Sequence, residues 1–80
     1  MNRNDTETVV RACVREVAPE ADLATLPPDA DLRESLYLDS LDFLALVELL
    51  SERTGQRIDE DDYPRLASLA STVDFLSTPH

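Results

Sequence analysis

Residues 37–50 read YLDSLDFLALVELL: ten apolar residues in fourteen positions, with the polar pair Asp39–Ser40 near the start. Phe43, Leu46, Val47 and Leu50 fall at i, i+3, i+4 and i+7, the spacing of one helix face. The stretch therefore predicts a helix from about Ser40 to Thr54, closed by Gly55, the sole glycine of the chain, as C-cap. Leu41, Leu44 and Ala45 point elsewhere, alongside Asp42, Glu48 and Glu52. A domain of three long helices has too few neighbours to cover both faces. Part of this surface is expected to face a partner, edged by carboxylates, directly beyond Ser40. Ser40 itself has two readings: an N-cap, the commonest duty of a serine in this place, or a hydroxyl held out for attachment.

On the N-terminal side, Val9, Val10, Cys13, Val14 and Val17 form a second helical stripe. It predicts a helix from about Asp5 to Ala18, opened by a capping box of Asn4 and Glu7 and stopped by Pro19. The stretch that follows lacks periodicity, and Pro27–Pro28 forbids regular helix. Leu23, Leu26, Leu32 and Leu36 are expected to pin this loop, with a short helical turn behind Asp31. Beyond Gly55 come Ile58 as an anchor, the acidic run 59–62, then Tyr63 and Leu66. Pro64 fits only the first turn of a helix and pushes Tyr63 from helical angles, so the third helix should be short. Ser68 is a natural N-cap for a last helix carrying Leu69, Val73 and Leu76. No strand pattern and no repeat competes. The expected fold is all-α: a small antiparallel four-helix bundle, three main helices plus a short third, with residues 1–80 as a single domain.

Composition narrows the function. Eighty residues bury a marginal core, and Cys13, the only cysteine, allows no internal disulfide and belongs to the apolar stripe. One cysteine and one histidine, His80, make a metal cage an unpromising reading. No apolar run reaches signal-peptide or membrane-spanning length, so a soluble, cytoplasmic protein without a membrane role is expected. Seventeen acidic residues against seven arginines, with no lysine, give a net charge of -10. Such a surface repels nucleic acid and speeds encounter with basic protein surfaces. Apolar residues at 42%, in periodic stretches, argue against disorder. Ser40 lacks a nearby base and a glycine-rich elbow, so it is not read as a catalytic nucleophile, and no enzyme is expected. A helix N-terminus, however, favours an anion such as a phosphodiester carried on that hydroxyl.

With Asp39-Ser40-Leu41 at a helix start, mid-chain, in a short acidic chain, the sequence resembles the acyl carrier proteins and their peptidyl and aminoacyl relatives. DADLRESLYLDSLDFLALVELL and ERTGQRIDEDDYPRLASLASTVDFL carry the likeness over nearly the whole length. The resemblance implies a right-handed four-helix bundle with a short third helix. It implies a 4'-phosphopantetheine arm on Ser40, derived from coenzyme A and attached by a phosphopantetheinyl transferase with Mg²⁺. Acyl or related groups would ride on the arm as thioesters in fatty-acid, polyketide or related biosynthesis. Acyl-loading and acyl-processing enzymes would dock through basic patches, the carrier remaining a monomer. Asp39, Asp42, Glu52 and Glu60 fall at the family's acidic docking positions, and Leu41, Leu44, Ala45 and Glu48 complete the expected partner face. The chain departs from the family at Tyr37 and Leu38, where glycine is common, at Ala45 and Glu48, and at Phe43, Tyr63 and Pro64, which crowd the space for a long acyl chain. Three other readings stand beside it: an aminoacyl or peptidyl carrier, an unmodified acidic interaction module, and a cation site at residues 59–62.

Overall fold

The computed structural model describes residues 2–78, and its helices follow the apolar periodicity. Helix α1 spans Arg3–Val17, α2 Leu32–Ser35, α3 Ser40–Thr54, a 3₁₀ helix (η1) Glu60–Leu66, and α4 Leu69–Ser77. No strand occurs among the described residues; the architecture is a small all-α bundle. Helix α1 lies against both α3 and α4, and η1 lies against α4. His80 is outside the described residues.

The start of α1 differs from the sequence expectation. Its cap is Asn2, whose Oδ1 accepts from the Asp5 N–H at 2.8 Å, and the Asn4–Glu7 box is not formed. Asn4 already sits inside the helix, its carbonyl accepting from Thr8 Oγ1 at 3.0 Å. Either asparagine can cap, but starting at Asn2 gives the fully buried Thr6 hydroxyl an acceptor, the Asn2 carbonyl, at 2.9 Å. The helix stops at Val17 because Ala18 precedes a proline and leaves helical angles. Val10, Cys13 and Val14 are completely buried, whereas Val9 and Val17 flank the core. Burial pushes the Cys13 thiol pKa up, Arg53 pulls it down, and Glu16 adds to the rise.

The long connection is held by its own leucines, as expected: Leu23 and Leu32 are buried, and Leu26 and Leu36 lie against the core. Leu38 joins them. Asp31 caps α2 by accepting from the Glu34 N–H at 2.9 Å. Two backbone bonds then stitch this loop to the far end of the chain. The Leu32 N–H donates to the Ala67 carbonyl at 2.7 Å, and the Ala70 N–H donates to the Pro28 carbonyl at 2.9 Å.

Helix α3 has the expected bounds. Phe43, Leu46, Val47 and Leu50 are buried, and Gly55 closes the helix in the left-handed conformation at φ 69°. The segment after it departs from expectation. Pro64 is the fifth of seven residues in η1, not a first-turn residue, and Tyr63 is wound into the helix with it. The winding is 3₁₀, bonded to the third residue back and not to the i−4 carbonyl that a proline ring strikes, so Pro64 removes one donor without breaking the segment. Ser68 caps α4, its Oγ accepting from the Ser71 N–H at 3.1 Å. Leu69, Val73 and Leu76 are buried as the spacing predicts, and Thr72 and Phe75 are buried with them.

Candidate functional site

The site grows from the junction of α2 and α3. Asp39 has extended backbone angles and is the N-cap of α3: its Oδ1 accepts from the Asp42 N–H at 2.8 Å. Ser40 is therefore the first helical residue and not the cap. Its side chain is exposed, and its Oγ accepts a hydrogen bond from Arg33 Nη2 at 3.5 Å. An arginine stays protonated and cannot serve as a general base, so this pair is not a nucleophile–base couple.

Arg33 is the residue that reading the sequence missed. It lies seven positions before Ser40 in the bond they share, and its guanidinium carbon stands 5.0 Å from the centroid of the Phe43 ring. A signal was present: Arg33 is the sole basic residue between Arg15 and Arg53. Phe43 in turn meets Tyr63 edge-on, ring centroids 5.4 Å apart and planes at 80°. Together with Asp31, Pro64 and Ala67 these three side chains line a groove of about 300 Å³. Tyr37, Leu36, Leu38, Asp42 and Pro27 contribute to a larger groove of about 680 Å³.

Tyr37 holds φ at 56°, the left-handed region that a residue with a Cβ enters at a cost of about 1–3 kcal/mol. Its side chain is 90% exposed. The same outward face continues along α3 through Leu41, 76% exposed, and Leu44, 42% exposed. Ala45, Glu48 and Glu52 are exposed on that face, Asp39 lies exposed at its head, and Asp42 is half-buried. Glu60, also exposed, opens η1. The expected partner face is thus an apolar strip with carboxylates along it.

The acidic run 59–62 is engaged in local structure. The Asp59 N–H donates to Asp62 Oδ2 at 3.0 Å, and Arg57 Nε pairs with Asp59 at 2.8 Å. Among the described residues, no group of three or more histidine, cysteine or acidic side chains is arranged to hold a metal ion. No helix among them is long and apolar enough to cross a membrane.

An exposed serine thus stands beside a capping aspartate at the head of an acidic helix in a small all-α bundle. Residues 8–76 match the family model described as the phosphopantetheine attachment site, and the chain belongs to that acyl carrier family, which carries rather than catalyses. It is 32% identical over 71 residues to acyl carrier protein 2 of Ralstonia nicotianae, covering 85% of this chain and 88% of that protein. It is 29% identical over 77 residues to the acyl carrier protein of Thermosynechococcus vestitus, covering 96% and 94%. The acyl carrier protein of Nitratidesulfovibrio vulgaris is 34% identical over 50 residues, a match spanning 62% of this chain and 66% of that protein.

Proposed function

We propose that residues 1–80 act as one carrier domain, with Ser40 the attachment point of a 4'-phosphopantetheine arm taken from coenzyme A. The observation that carries the reading is the division of labour at the head of α3: Asp39 caps the helix, leaving the Ser40 hydroxyl exposed and without a capping duty. The residues present fit such a group. A phosphodiester at this place would meet the N-terminal end of α3 and the Arg33 guanidinium.

A phosphopantetheinyl transferase with Mg²⁺ would supply the chemistry. The Ser40 Oγ–phosphorus bond forms as the pyrophosphate P–O bond of coenzyme A breaks. Adenosine bisphosphate leaves, and the hydroxyl proton passes to the transferase. The thiol at the end of the arm then holds acyl or related cargo as a thioester. The face made by Asp39, Leu41, Asp42, Leu44, Ala45, Glu48, Glu52 and Glu60 is where basic patches of acyl-loading and acyl-processing enzymes would seat.

The test is incubation with a phosphopantetheinyl transferase, Mg²⁺ and coenzyme A, followed by intact mass and peptide mapping. One arm is expected, on the peptide containing Ser40, and none in Ser40→Ala. Modification at another serine, or a modified Ser40→Ala chain, overturns the assignment.

A further inference from the structure

We propose that Arg33 is a positioning residue that binds the phosphodiester formed at Ser40; the inference rests on the attachment reading above. Three observations converge on this side chain. Its Nη2 already reaches the Ser40 oxygen at 3.5 Å. Its guanidinium lies over the Phe43 ring at 5.0 Å, and Phe43 is itself buried and braced by Tyr63. And it has no acidic partner. Arg3, Arg11, Arg53 and Arg57 each pair with a carboxylate, whereas among the described residues no carboxylate pairs with Arg33. Arg15 and Arg65 likewise have no ion pair among the described residues, but of the three it is Arg33 that stands beside the Ser40 hydroxyl.

The chemistry follows from the shape of the group. A guanidinium offers five N–H donors around a flat core; the aromatic ring takes one face, and one donor reaches Ser40 Oγ at 3.5 Å. The remaining edge suits phosphate oxygens, which it can engage with two parallel bonds. When Ser40 Oγ becomes an ester oxygen, the anion arrives within reach of a cation that already lies over the Phe43 ring. Lysine would keep the charge but lose both the fork and the stack.

The experiment compares the wild-type chain, Arg33→Gln, Arg33→Lys and Phe43→Leu before and after modification by transferase, Mg²⁺ and coenzyme A. Mass spectrometry counts the arms. Phosphorus NMR reads the diester, proton–nitrogen NMR reads the Arg33 Nε–H, and thermal melting reads stability. In the wild type, modification is expected to shift the Arg33 Nε–H resonance and to raise the melting midpoint. In Arg33→Gln the diester resonance should move from its wild-type position and the rise should vanish, with partial recovery in Arg33→Lys. Phe43→Leu should weaken both signatures while preserving an apolar core residue. An Arg33 Nε–H resonance unmoved by modification, with the same diester resonance in wild type and Arg33→Gln, overturns the inference while leaving Ser40 as the attachment point. Failure of the wild type to accept an arm at Ser40 overturns the attachment reading, and this inference with it.

Discussion

The Asp39 carboxylate satisfies the Asp42 N–H, so the neighbouring Ser40 hydroxyl is not what secures the start of α3. Stability and modification should separate at these two residues. Asp39→Ala is expected to cost about 0.5–2 kcal/mol, the usual range for a lost N-cap. Ser40→Ala should stay within about 0.5 kcal/mol of wild type, as a surface change away from any cap does. Chemical unfolding of both variants checks this; a Ser40→Ala loss as large as that of Asp39→Ala would return the cap to the serine. Cys13 sets a second expectation. Its thiol is completely buried, and burial raises its pKa above the usual 9.0. The folded state therefore keeps its proton where the unfolded thiol has ionised, and binds more protons than the unfolded state. Stability from this group is fully present below about pH 9 and is lost as pH rises beyond it. Unfolding curves across that range should show the decline, and Cys13→Ala should flatten it. In native buffer, a thiol reagent should label Cys13 only at the rate of unfolding.

At the level of helices, α3 was fully legible because periodicity, an acidic residue at the head and a glycine at the tail all agreed. The α1 start was not, since Asn2 and Asn4 are chemically identical caps, and the buried Thr6 hydroxyl that favours the outer one is a tertiary fact. Pro64 points to a first turn only if the segment is α-helical, whereas η1 is wound as 3₁₀ through it. Of the candidate site, the exposed strip could be read from spacing, whereas Ser40 was singled out by the resemblance of Asp39-Ser40-Leu41 to the carrier motif. The Arg33 contact could not be read, because six residues of aperiodic chain lie between donor and acceptor. Helix α3 also carries its own test. Leu41 is exposed and Leu46 is 1% exposed on the same helix. Leu41→Ala should leave stability nearly unchanged, whereas Leu46→Ala should cost about 2–5 kcal/mol. Charge reversal at Asp42 or Glu52 should slow partner association while helicity by circular dichroism stays intact, and added salt should do the same. Stopped-flow association rates indifferent to both would reduce the acidic face to a solubility feature.

For the molecule as a whole, the interior bears on the size of cargo. Phe43 of α3 and Tyr63 of η1 meet edge-on, ring centroids 5.4 Å apart, and interiors near crystal density leave little slack. Cargo is therefore expected to be short or to remain outside the bundle. Holo-protein loaded with a short or a long acyl group should show similar melting midpoints and similar thioester hydrolysis. A long chain that raises the midpoint and slows hydrolysis well beyond the short one must lie inside, and this expectation would then be wrong.

The two backbone bonds between the long loop and the η1–α4 junction turn the molecule into a lever. Leu32 directly precedes Arg33 and is fastened to Ala67, the residue that ends η1. An outward swing of η1 must either break that bond or carry the backbone beneath Arg33 along with it. The two sides of the groove beside Ser40 are therefore expected to loosen together. Amide hydrogen exchange makes the gearing visible. The Leu32 and Ala70 amides should exchange by the same opening event, and that event should quicken when Leu66, the buried anchor of η1, is cut back to alanine. Far from the attachment point along the sequence, a change at Leu66 would be felt at Arg33.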